Sequence, residues 1–209
     1  MSTTDELSAA PAAAAPAALA VADPAPLGLA AFALTTFLLS AANAGWTRGS
    51  GSEWLGYALA YGGLGQLLAG MWEFKNKNVF GATAFTSYGA FWIGLGLYVL
   101  LVAPAAGTGV PNDLAWILLA FAIFTLYMLV ASALLNTAVF TVFLVLEITF
   151  IVLFIGQFHS GDVSIIKVGG YLGILTALLA WYTSFAGVFN GIRGVPTLPV
   201  GKPLLRSSV

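Results

Sequence analysis

The sequence predicts an all-α, polytopic membrane protein with six transmembrane helices. Only 7% of its 209 residues are charged and 60% are hydrophobic, whereas a soluble domain carries about a quarter charged residues. Apolar runs of about 20 residues, long enough to cross a bilayer, occupy residues 26–46, 53–74, 80–103, 113–135, 138–158 and 168–191. Polar or turn-forming stretches separate them: Arg48-Gly49-Ser50-Gly51-Ser52, Lys75-Asn76-Lys77-Asn78, residues 104–111 between two prolines, Asn136-Thr137, and Ser160-Gly161-Asp162.

The first run is preceded by an Ala/Pro-rich stretch over residues 1–22, read as a disordered tail, with no basic residue before Arg48 to make a secretory signal. The membrane domain is expected over residues 23–191 and a cytoplasmic C-terminal tail over 192–209. With six crossings both ends lie on one side. That side collects Lys75, Lys77, Arg193, Lys202 and Arg206, against Arg48 and Lys167 opposite, so the positive-inside rule places both termini in the cytoplasm of a plasma membrane.

The first helix opens on Asp23-Pro24-Ala25-Pro26-Leu27-Gly28-Leu29. Two prolines so close cannot lie inside a regular helix but fit its first turn, where the N–H groups lack partners anyway. Asp23 is a good N-cap residue there. Further along, Phe32, Thr36, Ser40 and Asn43 share a face; Thr176, Thr183 and Asn190 do so in the sixth helix. Such stripes suit a wet path as well as hydrogen bonding between helices. Ala58, Gly62, Gln66 and Gly70 make a small-residue stripe in the second helix, and Gly89, Gly94 and Gly96 recur in the third, which suits close helix packing within and between subunits. The third helix begins with Thr83, Thr86 and Ser87 near its positive end, a setting for a carboxylate, and Tyr88 and Trp92 share a face. Glu147 stands alone in the fifth helix, where a charge costs at least ~2.5–3.5 kcal/mol. It is read either as a proton-linked group or as a neutral acid bonded to a neighbour.

The composition excludes several functions. Without cysteine and with the single His159, disulfides, thiolate zinc sites and histidine-rich metal sites are ruled out within one chain, and no metal or other cofactor is implied. A net charge of −1 speaks against nucleic acid. No serine or base is arranged for catalysis, so the chain is not read as an enzyme. Transport of a small solute fits best.

The opening heptapeptide resembles the NPAPLGL signature of the acetate uptake transporters, the acetate/succinate permeases of bacteria and fungi. The segments Tyr61-Gly62-Gly63-Leu64-Gly65-Gln66 and Ala69-Gly70-Met71-Trp72-Glu73, and the run from Asn78 to Trp92, resemble that family's second and third helices. The resemblance implies a homo-hexamer with one solute path per protomer, passing acetate and in some members succinate. It also implies an apolar constriction, which falls on Phe32, Tyr88 and Leu146. Asp23 departs from the signature's asparagine. Thr36, Ser40, Asn43, Gln66, Thr83, Thr86 and Ser87 are the expected substrate-binding residues, and monocarboxylates are expected to pass better than dicarboxylates. Two alternatives stay open: a passive channel for neutral small solutes, and an acetate sensor that does not transport.

Overall fold

The computed structural model describes residues 21–205; most of the expected N-terminal tail, and Arg206, lie outside them. The described residues are helical, without strands. Helix α1 (Ala25–Asn43) starts with Pro24 at its N-cap position and Pro26 in its first turn. Asp23, the expected cap, sits one residue before the cap position, and its carboxylate accepts from the Ala25 N–H at 2.9 Å. The helix stops three residues short of the expected end because Gly45 takes a left-handed conformation (φ 76°), letting Trp46 N–H reach back to the Ala41 carbonyl at 2.9 Å.

The second apolar run is helical throughout but changes pitch. Helices α2 (Trp54–Leu59) and α3 (Gln66–Lys75) are joined by a π-helical segment, Ala60–Gly65. Wide π turns are tolerated where small residues relieve crowding, and Gly62 and Gly63 are both buried here. The stripe Ala58, Gly62, Gln66 and Gly70 is buried as a whole. Gly62 is pressed against Thr35 of α1, and Gly70 against Thr86 of the next helix. Gly94 departs from the packing expectation, since no side chain lies within 4 Å of where its Cβ would be.

Helix α4 (Val79–Leu97) is capped by Asn78, whose side chain accepts from Gly81 N–H at 3.1 Å. The expected break over residues 104–111 is itself mostly helical: a π segment (Tyr98–Val102), the short α5 (Ala103–Ala106) and a 3-10 turn (Gly107–Gly109) lead into α6 (Val110–Ser132). Pro104 and Pro111 fall in the opening turns of α5 and α6, where the missing N–H costs nothing. The chain still reverses here, at Gly107 (φ 56°). Tyr88 and Thr125 are hydrogen-bonded although 37 residues apart, a separation of roughly 55 Å along a straight helix.

Asn136 opens α7 (Thr137–Phe158) by accepting from Val139 N–H at 2.9 Å, so a single polar residue makes the break. Helix α8 (Val163–Arg193) begins five residues before its apolar run, because Asp162 caps it through Ser164 N–H (2.8 Å) and Ile165 N–H (3.3 Å). The segment after α8 folds back onto the bundle. Val200 C=O accepts from Ala138 N–H, Lys202 C=O from the Thr137 hydroxyl, and Ala133 C=O from Leu204 and Leu205 N–H, each at 2.9 Å.

The helices close a ring. α1 packs on α8, α8 on α7 and α7 on α6; α3 packs on α4, and α1 meets the π segment and α3. The ring encloses an aromatic-rich core including Phe32, Tyr88, Phe91, Trp92, Phe143, Leu146 and Phe150. Outside, Leu68, Ile123, Leu126, Ile148, Leu178 and Phe185 are exposed. Such an apolar exterior is normal only where lipid or another subunit covers it. Among the described residues, four continuous helical stretches are long and apolar enough to cross a membrane: Ala25–Asn43, Val79–Ser132, Thr137–Phe158 and Val163–Arg193.

Candidate solute pathway

The opening heptapeptide fixes where α1 stands. The Ser184 hydroxyl donates to Pro26 C=O at 2.6 Å. Gly187 of α8 has no room for a side chain, since a Cβ would lie 2.9 Å from the Pro26 ring. Gly28 meets α4 in the same way, its place for a Cβ lying 2.6 Å from Phe85. The prolines and glycine thus set the height and spacing of α1 against α8 and α4, and with them the position of Phe32 one turn further in.

Phe32, Tyr88 and Leu146 come from α1, α4 and α7 and are brought together in the core. Their exposures are 5%, 3% and 5%, and the Phe32 and Tyr88 rings are tilted with centroids 5.8 Å apart. Phe124 meets the Tyr88 ring edge-on at 5.2 Å. Two small cavities flank the trio. One, of about 20 Å³, is lined by Leu29, Phe32, Gln66, Ala84, Phe85, Tyr88, Val142, Phe143 and Leu146. The other, of about 50 Å³, shares Phe32 and Leu146 and adds Thr36, Ser40, Asn43, Trp92, Leu118, Thr149 and Phe150. It leads to a third, of about 90 Å³, through the shared Leu39, Asn43, Leu95, Leu118 and Leu153, ending at Gln157. The narrowest cavity has room for about one water.

Thr36, Ser40, Asn43 and Gln66 therefore line the cavities. Thr36 Oγ1 and Gln66 Oε1 are buried without a hydrogen-bond partner. The other expected binding residues stand elsewhere. Thr83, Thr86 and Ser87 are half-buried and line none of these cavities. Helical stepping puts Thr83 and Ser87 on the stripe of the exposed Ala90 and Gly94, and Thr86 lies against Gly70. Nor is the start of α4 open to an anion. Asn78 caps it, and the buried Glu73 carboxylate lies beside Gly81, with Asn76 donating to Glu73 Oε2 at 3.4 Å. The sequence alone assigns Glu73 no role beyond its place in the second-helix segment; the signal was an acid amid Met71, Trp72 and Phe74.

The polar stripe of α8 lines none of these three cavities. Thr176 joins Thr149 (3.2 Å), Thr183 turns back to Leu179 C=O (2.8 Å), and Asn190 holds the tail through Thr197 N–H, Leu198 N–H and Leu198 C=O. Glu147 is half-buried beside Leu146, with Oε2 unpartnered, and lines none of the three cavities.

A model of the GPR1/FUN34/yaaH family matches residues 6–202. The chain is 40% identical to ammonia transport outward protein 2 of Saccharomyces cerevisiae, over 79% of this chain and 61% of the relative. It is 40% identical to acetate permease A of Emericella nidulans, over 85% and 65%. The chain thus spans less than two thirds of the length of these fungal relatives. It is 38% identical to the succinate-acetate/proton symporter SatP of Escherichia coli, over 86% of this chain and 95% of SatP. The solved structure of the bacterial acetate channel SatP superposes with a TM-score of 0.81 at 35% identity, covering 87% of this chain and 100% of that one.

Proposed function

We propose, from the premise that this chain belongs to the GPR1/FUN34/yaaH family, that it carries acetate and other short monocarboxylates across a membrane through the closed ring of Phe32, Tyr88 and Leu146. The observation that carries this reading is the meeting of those three side chains between cavities lined by Thr36, Ser40, Asn43 and Gln66. Hydrophobic constrictions of this kind select by size and by the cost of shedding water. A dicarboxylate, with two charged ends to dehydrate, is expected to pass less readily than acetate.

The hydrogen bonding of Tyr88 narrows the chemistry. Thr125 has one hydroxyl proton and gives it to Phe121 C=O at 2.7 Å. The 2.8 Å bond between the two hydroxyls therefore runs from Tyr88 to Thr125. Tyr88 then offers the path a lone pair and no proton. A protonated carboxylic acid can donate to it; a carboxylate anion cannot. The constriction suits the neutral acid, a form in which a proton would cross together with the carboxylate.

We place the chain in the plasma membrane with six crossings, counting the interrupted run from α2 to α3 and taking Val79–Ser132 as an antiparallel pair. Pro26 at the start of α1 lies beside Gly187 near the end of α8, which supports both termini sharing the cytoplasmic side. A homo-hexamer would cover part of the exposed apolar exterior. The test is counterflow of labelled acetate in liposomes with and without a pH gradient. Flux that is absent under both conditions overturns the reading.

A passive channel for neutral small solutes is the second reading, favoured by the absence of any charged residue from the lining of the three cavities. Flux of an uncharged solute of similar size, such as acetamide, that matches acetate flux would favour it.

A further inference from the structure

Glu73 near the end of α3 is fully buried, and its Oε1 has no hydrogen-bond partner. Its Oε2 accepts from the Asn76 side chain at 3.4 Å. Nothing in the transport reading uses this acid. The carboxyl group fits because residue 81 is glycine: a Cβ there would lie 2.6 Å from Oε1. Phe85 stands one turn beyond Gly81 on α4, and its ring is what Gly28 of α1 is pressed against. About one turn further on come Tyr88 on α4 and Phe32 on α1. Glu73 thus stands at the foot of the contact that sets the spacing of two members of the constriction.

The surroundings of Glu73 act on it in opposite senses. Complete burial and the like charge of Asp23, at the entrance to α1, favour the acid. The Asn76 amide, the Asn78 amide beside Gly81 and the positive end of α4 favour the carboxylate. Lys75 and Lys77, in the turn that follows, are exposed, and the first turn of α4 carries no charge. We propose that Glu73 is a positioning residue for the constriction. As the acid it lets α1 rest against α4 with the ring closed; as the carboxylate it repels Asp23 and draws Phe32 away from Tyr88. The proposal rests on the transport reading above. It makes passage rise with pH on the side that carries the start of α1. Asp23 stands where the signature has asparagine, so the repulsion belongs to this chain.

The test is exchange of labelled acetate across liposomes holding the full chain, with equal pH and equal acetate on both faces. Glu73→Gln keeps the shape of the acid and does not ionise. The ratio of wild-type to Glu73→Gln exchange should rise at least about threefold between about pH 5 and pH 8. Dividing by the variant removes the titration of acetate itself, and a merely structural Glu73 would leave the ratio flat. The same rise is expected against Asp23→Asn, whose change is at an exposed position and decides the matter if Glu73→Gln does not assemble. A smaller rise or a fall overturns the proposal. Absent exchange in the wild type overturns the transport reading instead. The infrared carboxyl stretch that is missing from Glu73→Gln then decides the site: it should fade as the pH is raised over that range, and a band that persists throughout, or never appears, overturns the proposal.

Discussion

Tyr88 donates its proton to Thr125 across the contact between α4 and α6, because Thr125 has spent its own on Phe121. Both side chains are buried, at 3% and 0% exposure, so the bond has no water to replace it. Thr125→Val should cost about 1–3 kcal/mol by leaving the Tyr88 hydroxyl unpaired. Tyr88→Phe combined with Thr125→Val should recover most of that loss. Thermal unfolding of the four proteins in detergent measures the coupling; additive losses would mean that the two hydroxyls act independently.

Phe32→Ala should widen the path at its narrowest point. The ratio of succinate to acetate uptake should rise roughly tenfold, equivalent to ~1.4 kcal/mol less barrier for the larger acid. Side-by-side uptake of the two labelled acids into liposomes gives the ratio, and an unaltered value would remove Phe32 from the constriction.

Gly28→Ala should be costly despite adding one methyl group. The new atom would sit 2.6 Å from the Phe85 ring, and overpacking of this kind costs typically 1–3 kcal/mol. Phe85→Leu in the same chain should restore the melting temperature toward that of wild type. No rescue would show that the strain lies elsewhere.

Asn190→Ala should separate stability from transport. It deletes the amide that accepts from Thr197 and Leu198 N–H and donates to Leu198 C=O. About 1–3 kcal/mol of stability should be lost, with acetate half-saturation unchanged. A shifted half-saturation would return Asn190 to the solute path.

Glu147→Gln should retain acetate uptake and its dependence on a pH gradient, because Glu147 lines none of the three cavities. Loss of the gradient dependence alone would make Glu147 the proton-linked group.

Much of this was legible in advance, for physical reasons that differ by element. Prolines at 24 and 26 can only begin a helix, and helical spacing places Phe32, Thr36, Ser40 and Asn43 on one face wherever that helix goes. Packing partners were not legible in the same way. Periodicity cannot tell a hydroxyl that faces a cavity from one that bonds its own backbone, so Thr176, Thr183 and Asn190 read like Thr36. Thr83, Thr86 and Ser87 share nearness to a helix end, but steps of about 100° put Thr83 and Ser87 on one stripe and turn Thr86 toward Gly70. The π segment at Ala60–Gly65 includes a tertiary contact, Gly62 against Thr35. An apolar run gives no sign of it.

The folded-back tail gives one joint of the chain a second fastening. Residues Leu204 and Leu205 grip Ala133 on the α6 side of the corner, while Val200 and Lys202 grip Ala138 and Thr137 on the α7 side. The segment therefore splints the corner from outside, bridging the two helices that the peptide bonds at Leu134 and Leu135 already join. A backbone cut between those two leucines would leave both fragments tied to the same tail segment, so α6 and α7 are connected twice, once by covalent bonds and once by hydrogen bonds.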